Sequence, residues 1–244
     1  MFTVEYRAQV RDALIEKARE DPRVESAAAV GGSAQGDGDR WSDLDLTFGV
    51  AGSARDEVLA DWTGHLSARF DAVNLFDLPV LSTVYRVFLF PGSLQVDLSF
   101  TPSADFGAVG PRFRLLFGSA VDRKAPAAAG SPRHEFGLGA HHAVRARYCI
   151  DRGRLWQAEH WTSLVRDPAL MLACRRLGLE AAYGRGFDAL PTDLLERAEG
   201  ALVRSIDAQE LLRALRKSTD LLLEEKAVHQ DAAKIETLLR AILD

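Results

Sequence analysis

Three aspartates and a glycine-serine turn are the residues of this chain whose types and spacing could do chemistry. Asp43 and Asp45 lie two apart in Asp43-Leu44-Asp45-Leu46-Thr47-Phe48, which alternates polar and apolar residues. Side chains alternate across a strand, so both carboxylates share an open face while Leu44, Leu46 and Phe48 enter a core. In Leu94-Gln95-Val96-Asp97-Leu98-Ser99-Phe100 the same logic buries Leu94, Val96, Leu98 and Phe100 and leaves Gln95, Asp97 and Ser99 on the other face. Two or three converging carboxylates suit magnesium, which takes hard oxygen ligands and keeps water and substrate phosphates in its shell. Upstream, Gly31-Gly32-Ser33 lets backbone approach a phosphate with no Cβ in the way, and offers amide and hydroxyl donors.

Together these parts match what transfer of a nucleotide requires. Charge on a triphosphate is neutralised, the α-phosphorus is approached in line, and pyrophosphate departs; two ions about 3.5 to 4 Å apart can stabilise both the attacking and the departing oxygen. The chain reads Val30-Gly31-Gly32-Ser33, then ten residues on Ser42-Asp43-Leu44-Asp45-Leu46, then Val96-Asp97-Leu98. In this it resembles the nucleotidyltransferase superfamily, which includes DNA polymerase beta and the aminoglycoside and lincosamide adenylyltransferases. The resemblance covers residues 20 to 105. It implies that Gly32 and Ser33 contact the triphosphate, that Asp43 and Asp45 bind two magnesium ions, and that Asp97 completes the catalytic metal site. It also implies a nucleoside triphosphate, ATP above others, as co-substrate. Many antibiotic-modifying members carry Arg-Gly soon after Gly-Ser; this chain has Ala34-Gln35-Gly36, so a cationic phosphate contact is expected from elsewhere.

Positioning these residues calls for a small α/β domain. Residues 3 to 20 have the apolar spacing of an amphipathic helix closed by Pro22, and Val24 to Val30 reads as a strand. Ser53 and Asp56 can start a second helix carrying Val58, Leu59, Trp62, Leu66 and Phe70. Thr83 to Phe90 and Leu94 to Phe100 read as a hairpin turned by Pro91-Gly92-Ser93. From Gly118 to Gly137 the composition shifts to Ala, Pro, Gly and Ser. The expected plan is therefore a nucleotidyltransferase domain of α+β type with a small mixed sheet over 1–118, a linker over 119–137, and an all-α helical bundle over 138–244.

In the helical half, Asp167-Pro168 predicts an N-cap and first-turn proline for a helix over 169–183, and Asp207 with Glu210 predicts another cap. Relatives acting on small molecules place acceptor contacts in such a domain. Glu159, among Trp156, His160 and Trp161, is the leading acceptor contact or accessory general base, with an ion pair to Arg166 as the competing role. His141, His142, Arg145, Arg147 and Arg152 are candidates for charge near the triphosphate, and Trp156 and Trp161 for lining a pocket.

A net charge of -5 and a pI near 5.7 give no general pull toward long nucleic acid. Cys149 and Cys174 have no zinc-type spacing and read as core thiols. No stretch of about 18 apolar residues occurs, and the N-terminus lacks a basic-then-apolar leader, so no membrane association and a cytoplasmic location are expected. The expected activity is magnesium-dependent transfer of a nucleoside monophosphate, AMP from ATP, to a hydroxyl of a small molecule such as an aminoglycoside- or lincosamide-like antibiotic. A protein adenylyltransferase of toxin-antitoxin or regulatory type and a catalytically silent nucleotide-binding module are the rivals. The helical half offers a surface for a homodimer.

Overall fold

A computed structural model describes residues 1–34, 39–110, 112–122 and 130–243. The chain divides into two units, Met1–Ala127 and Ala128–Asp244. In the first, helix α1 (Val4–Glu20) begins at Thr3, whose hydroxyl accepts from the Tyr6 amide. It buries Val10, Leu14 and Ala18 on one stripe. Strands β1 (Val24–Val30) and β2 (Leu44–Val50) follow, then helix α2 (Arg55–Phe70), and strands β3 (Val73–Val80), β4 (Thr83–Phe90), β5 (Leu94–Pro102) and β6 (Phe113–Phe117).

The six strands form one sheet in the order β3-β4-β5-β2-β1-β6. Only the central β2–β5 pairing is parallel, so the sheet is mixed. One face takes α1 and α2: Leu46, Phe48, Leu98 and Phe100 pack with Leu14, Trp62 and Leu66 in a single core. Rings of Phe48, Trp62 and Phe100 lie 4.8–5.4 Å apart at its centre, where tilted and edge-on contacts add to the area they bury. The opposite face is covered at one end only, where Phe106 sits so close to Gly49 that a Cβ there would meet its ring at 2.9 Å. At the other end lie the aspartates.

Several expectations need correction. Asp43 immediately precedes β2 instead of starting it, and Thr47 is buried like its apolar neighbours because β2 is central and covered by Phe106's segment. Ser53 does not cap α2; a short 3-10 turn, Gly52–Ala54, leads into the helix without a side-chain bond, and Asp56 serves its first turn. Strands β3 and β6 had no expectation, since both are edge strands without a clean alternation of burial.

The second unit contains α3 (Pro132–Asp151), α4 (Leu155–Arg176), α5 (Thr192–Gly200), α6 (Ala208–Glu224) and α7 (Ala232–Leu243) around one apolar cluster. Gly139 lets α3 approach α6, for a Cβ there would stand 2.7 Å from Leu222. Helix α3 takes in residues 132–137, which composition assigned to the linker: Ser131 accepts from the His134 amide and Pro132 occupies the first turn. Residues 123–129, the heart of that linker, lie outside the described residues.

Pro168 does not start a helix. It lies inside α4, whose missing amide would have bonded the Leu164 carbonyl four residues back. That carbonyl is taken by Nδ1 of His142 on α3, at 3.0 Å. The helix then ends at Arg176, not near 183, because Gly178 at φ +71° closes it, with the Leu179 amide reaching the Cys174 carbonyl and the Gly178 amide that of Arg175. Asp207 does cap α6, accepting from the Glu210 amide at 2.9 Å. Cys149 and Cys174 are buried and free.

Candidate active site

The register of the central parallel pair sets Asp45 directly beside Asp97 and Leu44 beside Val96. With Asp43 just ahead of β2, carboxylate oxygens of Asp43, Asp45 and Asp97 all lie within 4.8 Å of one another. Like charges directly opposite in a sheet repel. Burial pushes the Asp97 carboxyl above the usual carboxylate range, the Gln95 amide pulls it back, and the Asp43 charge adds to the rise. Nε2 of Gln95 donates to both Asp97 oxygens, at 3.0 and 3.3 Å. Gln95 faces the same side of β5, two residues back, which fixes the carboxylate from its own strand.

Beside Asp45 runs the turn that follows β1, a single 3-10 turn over Gly31–Ala34. The Asp45 amide donates to Ser33 Oγ at 3.4 Å, which leaves the hydroxyl hydrogen for another acceptor. Gly31 has φ +58°, and a Cβ there would stand 2.3 Å from Asp45 Oδ2. No atom lies within 4 Å of a Cβ built on Gly32. The turn and the carboxylates are thus in contact through Gly31 and Ser33, while Gly32 faces open space. Gln35 and Gly36, part of the departure from the Arg-Gly pattern, lie outside the described residues. From β6, Arg114 Nη2 donates to the Ser33 carbonyl at 3.4 Å.

One functional neighbour went unread in the sequence. Arg7 of α1, only 7% exposed, donates through Nη1 to the carbonyls of Asp39 and Ser42, both at 2.7 Å. Asp39 in turn accepts from the Trp41 amide and the Ser42 hydroxyl. The segment delivering Asp43 is therefore pinned from α1. Arg7 lies on the same stripe as Val10, Leu14 and Ala18, and a charged residue on a buried stripe was the available signal.

The remaining candidates belong to the second unit. Glu159 accepts from Ser163 at 2.9 Å on α4, and Arg166 pairs with Asp167 instead of Glu159. His142 is committed to the Leu164 carbonyl, Arg147 to Asp151 and the Ile242 carbonyl, and Arg152 lies over the Tyr148 ring. Arg145 lies over Trp161, 5.7 Å from the ring centre, and rings of His141, His142 and His160 surround that indole at 5.2–6.4 Å. Trp161 Nε1 is buried without a partner, whereas Trp156 is 76% exposed. Among the described residues, no helix is long and apolar enough to cross a membrane.

No family model matches the chain, and no curated protein does either. Among solved structures it is similar to an aminoglycoside 6-adenyltransferase from Bacillus subtilis, with 14% identity, 99% of each chain covered and a TM-score of 0.42. It is also similar to a nucleotidyltransferase-like protein from Exiguobacterium sibiricum 255-15, with 13% identity, 92% of this chain and 77% of that chain covered, and a TM-score of 0.42.

Proposed function

We propose that the first unit is the catalytic domain of a metal-dependent nucleotidyltransferase, moving a nucleoside monophosphate, AMP from ATP, onto a hydroxyl of a small molecule and releasing pyrophosphate. The observation that carries this is the convergence of Asp43, Asp45 and Asp97 within 4.8 Å beside a phosphate-sized turn at Gly31–Ala34. It is the arrangement that the sequence resemblance implies.

The donor set fits magnesium: three hard carboxylates on the uncovered end of a sheet face, with Asp97 destabilised as an anion until a cation is near. Asp43 and Asp45 would hold two ions jointly, with Asp97 on the catalytic one. Bound there, magnesium supplies neutralisation of phosphate charge and stabilisation of the entering and leaving oxygens. Gly32 offers unobstructed backbone to a phosphate, and Ser33, already oriented by the Asp45 amide, donates its hydroxyl hydrogen. Asp97 is the carboxylate suited to accept the acceptor's hydroxyl proton, since burial raises its proton affinity. Gln95 and Arg7 hold the carboxylates in place, and Glu159 is assigned an acceptor contact.

The test is pyrophosphate release and label transfer from each of four α-labelled nucleoside triphosphates, with magnesium, over a panel of hydroxylated small molecules that includes aminoglycosides and lincosamides. Intact-mass analysis of candidate proteins addresses the protein-acceptor rival. Asp45→Asn should abolish metal-dependent nucleotide binding and transfer; unchanged binding and activity in that variant would sink the assignment.

A further inference from the structure

The sheet carries an apolar shelf next to the aspartates. Residues paired across strands share a face, so the row through Asp45 and Asp97 continues to Val87 on β4 and Phe76 on β3. The adjacent rows run from Gln95 to Leu89 and Val73, and from Ser99 to Tyr85 and Leu78. The intervening residues face the other way: Phe88 and Phe90 enter the core, and Arg86 donates to the Leu59 carbonyl of α2. On the aspartate side, Val73, Phe76, Leu78 and Leu89 keep 40–59% of their surface exposed. An apolar face of this kind on a soluble unit marks a binding surface.

In-line geometry says what binds. Displacement at phosphorus places the attacking oxygen opposite the leaving group. The Gly31–Ala34 turn lies at the end of β1, on one side of β2, whereas β5, β4 and β3 lie on the other. Pyrophosphate leaving toward the turn therefore requires the hydroxyl to arrive from the β5–β4–β3 side, along the row Asp97, Val87, Phe76. The nucleoside, attached to the same phosphorus at an angle to this axis, points away from it. Neighbouring strands are about 4.8 Å apart, so Phe76 lies roughly 10 Å from Asp97, the span of a small acceptor's body.

We propose that this shelf is the acceptor subsite, and that the acceptor presents its hydroxyl from a body with an apolar face, alkyl or aryl. The inference rests on the nucleotidyl-transfer reading. In the step, the hydroxyl oxygen forms a bond to the α-phosphorus and the bond from that phosphorus to the bridging oxygen breaks. Pyrophosphate leaves with the electron pair, and the hydroxyl proton passes to Asp97.

Product analogues test it without knowledge of the natural acceptor. Calorimetry with magnesium first identifies which of the four triphosphates binds. The methyl, phenyl and hexyl esters of the matching 5′-monophosphate are then titrated. The phenyl and hexyl esters should bind at least about ten-fold more tightly than the methyl ester. Phe76→Ser with Leu78→Ser, both at exposed positions, should remove that preference, with triphosphate affinity as the internal reference and circular dichroism reporting the fold. If a triphosphate binds but all three esters bind alike, or if the preference survives in the double variant, the shelf is not the acceptor subsite. If the double variant changes only self-association in sedimentation and leaves ester affinities as they were, the face is an interface between copies and the proposal fails. If no triphosphate binds, the underlying functional reading fails, and the shelf assignment with it.

Discussion

Replacing Gly31 by alanine strikes the contact between the turn and the carboxylates. Two penalties follow from the geometry. An L-residue at φ +58° costs roughly 1–2 kcal/mol, and the new Cβ would lie 2.3 Å from Asp45 Oδ2, where ordinary contact begins near 3.4 Å. Asp45 must therefore retreat by about 1 Å or rotate out of the cluster. A shift of that size in a reacting geometry can lower turnover about 100-fold. The backbone strain alone lowers the melting temperature by about 2–8 °C. Gly32→Ala is the control, because nothing lies within 4 Å of its added Cβ. The assays are manganese binding followed by calorimetry without nucleotide, which isolates the carboxylates, together with thermal melting. Gly31→Ala should weaken manganese at least about ten-fold, and Gly32→Ala should leave it unchanged. Equal manganese affinity in the two variants would refute the claim that Gly31 exists to make room for Asp45.

Other perturbations follow from the same coordinates. Asp97→Asn removes a like-charge pair across the central ladder, so it should raise unfolding stability by about 0.5–1 kcal/mol in denaturant titration while abolishing transfer; a less stable variant would contradict the repulsion argued for the site. Arg7→Met leaves the Asp39 and Ser42 carbonyls without their buried donor and should weaken manganese binding roughly ten-fold, an effect absent if that segment holds Asp43 unaided. Asp21 is held at about 2 by hydrogen bonds from Arg23, aided by the Trp62 indole. Its carboxylate then contributes about 2 kcal/mol above pH 4, lost as pH falls toward 2, and Asp21→Asn should flatten acid unfolding over that range. His142→Phe should cost about 1–3 kcal/mol by leaving the Leu164 carbonyl unmet, but much less in a Pro168→Ala background, where residue 168 regains its amide; additive costs would dissociate the two residues.

What could be read in the sequence depended on whether a residue's environment is local. The Asp43 and Asp45 spacing, the Gly-Gly-Ser turn and the β4–β5 hairpin were legible because alternation and turn chemistry are properties of short segments. Asp97's adjacency to Asp45 needed the parallel register, which no spacing encodes. Strands β3 and β6 escaped because edge strands are buried on neither face consistently, so Val73, Leu75 and Phe76 in succession show no period. Ser131-Pro132 was misread as linker because its Ala- and Pro-rich surroundings outweighed a sound cap. Pro168 was misread because its rescue comes from His142, 26 positions earlier on another helix. The single imidazole donor also fixes the Nδ1–H form of that ring, which removes His142 from the set of candidate phosphate contacts.

The partnership of His142 with Pro168 also constrains how this sequence can diverge. A lineage that loses the histidine first passes through a chain with an orphaned carbonyl in the middle of a long helix. One that loses the proline first restores an ordinary helical bond and frees position 142 to drift. The two substitutions are thus commutative in their end point but not in their history, and homologues lacking the histidine while keeping the proline should be rarer than the reverse.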